Sequence, residues 1–223
     1  MEWFLKIWMF PARVRYRWRN RRRRHVSDDL ARSIVAHYDD AERVGVKPYL
    51  AIYNATLFVV LLEQDLSGYA ECVMFARNEW LRKFHSRNLA VLLFEASNDL
   101  PSVLGKDFRR ALAEVAAPNG VIATVNSSVS AIAQFKRHHA TFLEDIRTVV
   151  GAHRDHNARL QAHMLNKVEF VDILKLSAKL SKPIIDLTEC LGHLLGHIHQ
   201  ARTMLKHVAK AVDEQQAAEI QRK

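Results

Sequence analysis

Residues 132–153 have the sequence IAQFKRHHATFLEDIRTVVGAH, and its apolar side chains recur at alternating spacings of three and four. The positions on this pattern are Ile132, Phe135, His139, Phe142, Ile146, Val149 and His153. Because an α-helix turns once in about 3.6 residues, such spacing places all seven side chains on one face. The segment therefore predicts a long amphipathic helix with two histidines in its apolar face.

Helical patterns also cover most of the chain on either side of this segment. The predicted helices span 27–44, 49–66, 68–97, 102–116 and 167–181, and a last one begins at Pro183. Ser27 and Ser67 are the predicted N-caps of the first and third helices. We expect Gly45 and Pro48 to end the first, and Asn98 to Pro101 to end the third.

Two further apolar stripes predict buried helix faces. In the third helix the stripe comprises Val73, Ala76, Trp80, Phe84, Val91 and Phe94. In the last helix it comprises Leu187, Leu191, Leu194, Ile198, Ala201, Leu205, Val208 and Val212, which we call the heptad seam. A seam of this length predicts packing along its whole extent against another helix of this chain or of a second chain.

The composition favours a helical globular protein. Hydrophobic residues make up 49% of the 223 residues, and glycine and proline number only 7 and 5. Cys72 and Cys190 are too few for a disulfide framework, so a reducing, cytoplasmic compartment is expected. We predict an all-α up-and-down bundle with long antiparallel helices.

The positive charge of the chain is concentrated at its N-terminus. Residues 1–24 carry a net charge of +8, whereas the remaining 199 residues carry +1. The basic side chains are Lys6, Arg13, Arg15, Arg17, Arg19, Arg21, Arg22, Arg23 and Arg24. We expect a basic and aromatic arm over residues 1–26 and a helical domain over residues 27–223. Between Arg13 and Arg19, arginines alternate with Val14, Tyr16 and Trp18, which is compatible with a strand or an extended arm.

Three interpretations of this arm remain open. It could anchor the protein at an anionic membrane surface, grip RNA with arginines and stacking aromatics, or be a mistranslated or disordered leader. The apolar run of residues 2–10 is too short for a bilayer that needs about 20 residues.

Arg147 and His153 are residue types that suit phosphodiester cleavage. A histidine exchanges a proton near neutral pH, and a planar guanidinium can hold the charge that develops on a phosphate. Six helical residues correspond to about 600°, so the two side chains point about 120° apart on an ideal helix. They can converge only through the length of Arg147 together with distortion at Gly151, or by meeting partners across a dimer. The alternative interpretation is a packed helix-end histidine, with Arg147 paired to Glu144 or Asp155.

The segment from Arg147 to Asp155 resembles the HEPN superfamily, and most closely its abortive-infection branch. Five residues separate Arg147 from His153, and the sequence Ala152-His153-Arg154-Asp155 matches the motif ending that is common in that branch. The family usually has Asn, Asp or His directly after the arginine, where this chain has Thr148. The resemblance covers roughly residues 67–200.

This resemblance implies a function, a site and partners. It implies a metal-independent endoribonuclease of a prokaryotic defence or toxin–antitoxin system, without a cofactor or bound metal. Arg147, His153 and Asp155 would be its catalytic residues, in a site formed where two protomers of a homodimer meet. RNA would be the substrate, and an antitoxin or other partner protein is expected. The alternative function is a non-catalytic helical interaction module that uses the heptad seam and is tethered to an anionic membrane by the arm.

Two other groups of residues are weaker candidates. Cys190, His193 and His197 share part of a helix face, but a structural zinc site needs a fourth ligand, so we expect a packed or solvated face instead. Ala36-His37-Tyr38-Asp39 repeats the motif ending, with Arg32 upstream. We interpret this second occurrence as a coincidence on an amphipathic helix.

Overall fold

The computed structural model describes residues 10–150, 158–200, 204–205 and 207–212, and within these ranges it contains helices and no strand. The helices are α1 (Phe10–Val44), α2 (Lys47–Phe75), α3 (Glu79–Val103), α4 (Lys106–Glu114), α5 (Asn119–Val150), α6 (Ala158–Lys167) and α7 (Phe170–Ile198). The prediction of an all-α bundle is confirmed. Short connections between packed neighbours, such as the two residues between α1 and α2, make those neighbours antiparallel.

Helix α1 begins at Phe10 and not at Ser27, so the predicted N-cap is wrong, and residues 13–19 are helical and form neither a strand nor an extended arm. Arginine has a high helix propensity, and a seven-residue alternation is too short to impose a strand without a partner strand. The predicted C-terminal end is confirmed. Gly45 takes a φ of 80°, and Val46 N–H donates to Ala41 O at 3.0 Å, as in a Schellman motif.

Helix α2 ends at Phe75 and not at the predicted Leu66. Ser67 is inside α2, because the buried face continues through Leu66, Ala70 and Val73 to the end of that helix. Asn78 caps α3 instead, and its Oδ1 accepts a hydrogen bond from Leu81 N–H at 2.8 Å.

Two prolines that were predicted to break helices lie inside them. Helix α3 passes Pro101 and ends at Val103, and α7 passes Pro183 as one continuous helix. A proline removes one backbone donor and crowds the preceding turn, but tertiary packing can outweigh that cost. Pro183 is itself buried between Leu180 and Ile184, both of which are fully buried.

The core is formed around α2, which packs against α1, α3, α4 and α7, while α5 packs against α3, α6 and α7. The heptad seam contributes its first part to this core. Leu187, Leu191, Leu194 and Ile198 have no exposed surface. Leu205, further along the seam, is 69% exposed. In the described residues the seam therefore packs within one chain up to Ile198, and again at Val208, which is partly buried against the core.

Candidate functional site

Arg147 lies in the last turn of α5 and is held by α3. Its Nε donates to Glu95 Oε1 at 2.5 Å, and its guanidinium lies 5.4 Å from the centre of the Phe94 ring. About a third of each charged side chain remains exposed, 33% for Arg147 and 39% for Glu95. The described contacts thus anchor one edge of the guanidinium and leave the pair at the surface of the bundle.

Glu95 was not among the predicted partners of Arg147. Those partners were Glu144 and Asp155, both close in sequence, whereas Glu95 is 52 residues away. His153 and Asp155, the other two predicted catalytic residues, lie outside the described residues. Of the three predicted catalytic residues, Arg147 therefore lies within the described residues, and its contacts there are with Phe94 and Glu95.

The buried face of α5 departs from the predicted one near its C-terminal end. Leu143 is fully buried and the predicted Phe142 is 38% exposed, although Ile132 and Ile146 are buried as predicted. His139 is half-buried beside Phe135, with ring centres 5.0 Å apart. Burial lowers the pKa of His139, and the charges of Lys179 and His138 lower it further.

Helix α1 divides the basic N-terminal residues into two sets. In the first set, Arg23 pairs with Glu63 at 2.7 Å, and Arg17 and Arg24 share Glu71 at 3.8 and 2.7 Å. These three arginines form ion pairs with two carboxylates of α2. No local pattern indicated this pairing, because both acids lie on another helix.

The outer side of α1 combines arginines with exposed apolar side chains. Arg21 and Arg22 are exposed, and so are Val14, Trp18 and Val26, with Trp18 at 68%. The side chains of Arg13, Arg15 and Arg19 lie outside the described set. None of the helices in the described ranges has an apolar stretch long enough to cross a bilayer.

A cluster of tyrosines and histidines, which was not predicted, joins α1, α2 and the residues after α7. Tyr53 Oη is 2.8 Å from His199 Nε2, and Tyr49 Oη is 2.8 Å from His207 Nδ1. His37 packs on His199, with ring centres 4.4 Å apart. His37, the histidine of the second Ala-His-x-Asp sequence (residues 36–39), therefore packs against another ring. The sequence pattern offered no signal, because the partners come from three distant segments.

Burial changes the acid–base behaviour of this cluster. Desolvation raises the pKa of Tyr49 to about 12 and raises that of Tyr53 further, with added repulsion from Tyr49 and Asp40. Burial lowers the pKa of His199, and the neighbouring His37 lowers it further. At neutral pH Tyr49, Tyr53 and His199 are therefore uncharged, and the Tyr53–His199 hydrogen bond joins two neutral partners.

Stability should fall on the acid side of neutrality because of His199. In the unfolded chain this histidine takes up a proton near its ordinary pKa of about 6.5, whereas in the folded chain it does so only at lower pH. Between the two values the unfolded state binds more protons, so the free energy of unfolding falls as the pH falls. His199→Gln should flatten the fall in urea midpoint between about pH 7.5 and 5.5, and His139 should account for part of what remains. Equal pH dependence in the variant and the wild type would exclude this role.

Cys190, His193 and His197 do not converge. Cys190 is buried, with Sγ 3.6 Å from Val121 O, whereas His193 is exposed. Within the described parts of the chain, no group of three or more His, Cys, Asp or Glu side chains is placed to hold a metal ion.

Comparison with known proteins adds no relative. No family model, curated protein or solved structure matches this chain. The all-α fold and the geometry around Arg147 are therefore the basis for a functional proposal.

Proposed function

We propose that this chain is a metal-independent endoribonuclease of a prokaryotic defence or toxin–antitoxin system, with Arg147, His153 and Asp155 as its catalytic residues. The observation that supports it is the anchored, partly exposed Arg147 in the last turn of α5, shortly before the segment that contains His153. The resemblance to the HEPN superfamily supplies the reaction class.

The chemistry would be transesterification. The ribose 2′-hydroxyl attacks the adjacent phosphorus, its proton passes to a base, and the bond to the 5′-oxygen breaks as that oxygen receives a proton. The products are a 2′,3′-cyclic phosphate end and a 5′-hydroxyl end. His153 would carry out one of these proton transfers, and Asp155 would hold the imidazole in place.

The contact with Glu95 suits Arg147 to binding a phosphate. A guanidinium has five N–H hydrogens, and the Glu95 bond uses the one on Nε. The remaining four are on the two terminal nitrogens, which form the planar fork that phosphate oxygens accept in pairs. Glu95 also partly offsets the charge of Arg147, so its role would be to position the guanidinium.

We propose a homodimer as the active form, with the two sites near the C-terminal ends of the α5 helices. The part of the heptad seam from Leu187 to Ile198 is not available for this interface, because its apolar side chains are already buried within one chain. Sedimentation at tens of micromolar protein tests the proposal, and a monomer would contradict it. An antitoxin or other partner protein remains part of the proposal.

A second candidate function is supported by the outer side of α1. Val14 and Trp18 lie at the centre of the exposed face, and Arg21 and Arg22 flank them at helical angles of about −20° and 80° from Val14. An apolar centre flanked by arginines suits an anionic membrane surface. The corresponding function is a peripheral interaction module in the cytoplasm, tethered to the membrane by this helix. The same arginines would bind RNA phosphates in an enzyme.

The two arginine sets of α1 should behave differently toward any polyanion. Arg21→Gln with Arg22→Gln should weaken binding and reduce the slope of log affinity against log salt by about one for each phosphate that the protein no longer neutralises. Arg23→Gln with Arg24→Gln should leave the slope nearly unchanged, because Glu63 and Glu71 neutralise those arginines. Fluorescence anisotropy with RNA and sedimentation with anionic liposomes measure the two cases. Equal slopes for both double variants would contradict the division of α1 into two sets.

A further inference from the structure

The predicted buried stripe of α3 does not begin as expected, because Trp80 is 68% exposed. Its indole is stacked on the half-buried ring of Phe84, with ring centres 5.6 Å apart and an interplanar angle of 13°. An exposed tryptophan held flat by a second aromatic ring presents its outer π-face to solvent. This outer face is available to another planar group.

Arg87 brings a positive charge to this aromatic pair. Arg87 lies 4.7 Å from the centre of the Phe84 ring, on the same face of α3. Arg82 is two residues after Trp80 and therefore lies about 160° away around the helix, at 4.8 Å from the centre of the Phe170 ring. Lys83 Nζ is 3.0 Å from Glu79 Oε1 and donates to Asn166 Oδ1 of α6 at 3.2 Å. From Glu79 to Val91 the helix carries three basic residues and one acidic residue, a net charge of +2. This part of α3 is therefore both aromatic and positive.

The same face of α3 continues to Arg147. Residues 80, 84, 87, 91 and 94 are spaced four, three, four and three apart, so they lie on one side of the helix. Phe94 and its neighbour Glu95 are the two residues that contact Arg147. With a rise of about 1.5 Å per residue, the distance along α3 from Trp80 to Phe94 is about 21 Å.

We propose that this face of α3, from Trp80 through Phe84 and Arg87 to Arg147, binds single-stranded RNA. A base stacks on Trp80, and Arg87 contacts a phosphate of the strand that continues toward Arg147. Single strands expose the faces of their bases, whereas a duplex buries them, so this surface discriminates in favour of the single strand. This proposal rests on the proposed ribonuclease function, and it specifies single-stranded RNA as the substrate.

The test measures binding separately from cleavage. A fluorescein-labelled, single-stranded 2′-O-methyl RNA of mixed sequence is titrated with the full-length protein, because it lacks the 2′-hydroxyl that transesterification needs. Trp80→Ala should weaken its binding by about 5- to 150-fold, the range expected for the loss of one stacked base. Trp80→Phe should restore most of the affinity, and Arg87→Gln should weaken binding and lower its salt dependence.

Two controls accompany this titration. Leu205→Ala removes a side chain that is equally exposed, at 69%, and should leave the affinity unchanged. The same 2′-O-methyl strand annealed to its complement should bind the wild type more weakly than the single strand, and Trp80→Ala should abolish that preference.

The outcomes separate this inference from the proposed function. Loss of affinity in Trp80→Ala without cleavage of any RNA would support the binding surface and count against the enzyme. RNA cleavage that requires Arg147, combined with unchanged affinity in Trp80→Ala, would support the enzyme and overturn the binding surface. If the 2′-O-methyl strand does not bind and Trp80→Ala instead disrupts a protein–protein contact, the surface serves a protein and this inference is wrong.

Discussion

Replacing His153 by alanine is expected to lower the rate of RNA cleavage by about 10²- to 10⁴-fold, which is the contribution that a positioned proton-transfer group makes in enzymes. The measurement is single-turnover cleavage of an unmodified single-stranded RNA in the presence of a chelator. The wild type should remain active there and produce 2′,3′-cyclic phosphate ends, because transesterification by histidine needs no metal ion.

The control for His153 is His193→Ala, which changes the same residue type at an exposed position on α7 and should leave the rate unchanged. If cleavage persists in His153→Ala, or if the chelator stops the wild type, the catalytic assignment is wrong. The membrane-tethered interaction module would then be the better explanation.

Arg147 and Glu95 extend the same experiment. Arg147→Lys should also lower the rate, because a point charge does not reproduce a planar fork with one edge held by a carboxylate. Glu95→Ala should lower it less than Arg147→Ala, since it releases the guanidinium without removing it. A Glu95→Gln variant that keeps the hydrogen bond should retain more activity than Glu95→Ala. This order of effects distinguishes a positioning residue from one that only offsets charge.

The largest expected effect on stability comes from Leu191. Leu191→Ala should lower the free energy of unfolding by about 2–5 kcal/mol, because the side chain is fully buried and its removal leaves a cavity. Leu205→Ala should change it by less than about 0.5 kcal/mol, although Leu205 belongs to the same heptad seam, because it is 69% exposed. Urea denaturation at two protein concentrations measures both variants.

This pair of variants also tests where the heptad seam packs. If the seam packs within one chain at Leu191, the loss of stability should not depend on protein concentration. A concentration-dependent midpoint that disappears in Leu191→Ala would place that part of the seam between two chains. A large cost for Leu205→Ala would show that the exposed end of the seam has a partner as well.

The apolar spacing was sufficient to predict the helices and much of the core. The side chains buried as their periodicity predicts include Ile132, Phe135 and Ile146 on α5, and Leu187, Leu191, Leu194 and Ile198 on α7. The C-terminal end of α1 at Gly45 was also predictable, because only a residue without a β-carbon takes a positive φ at low cost. Local chemistry determines features of this kind.

The helix boundaries that depend on packing were not predictable. Ser67, Pro101 and Pro183 all favour a break locally, yet α2, α3 and α7 continue past them. The apolar faces of these helices are buried on both sides of each residue, and that burial outweighs a local preference of a few kcal/mol. Trp80 shows the opposite case. Its spacing predicts burial, but none of the described helices covers the first turn of α3 there, so the indole is exposed.

By itself, the sequence of this protein determined an all-α chain, a concentration of positive charge at its N-terminus, and the residue types of a candidate phosphodiester site, because composition and periodicity act along the chain. Only the tertiary structure decided which partners those residues have. Glu95 holds Arg147, two carboxylates of α2 form ion pairs with three arginines of α1, and His199 and His207 contact two buried tyrosines of α2. The partners in these pairs lie far apart in the chain, by as many as 158 residues for Tyr49 and His207. Contacts over such separations arise from helix packing, and no local pattern encodes them.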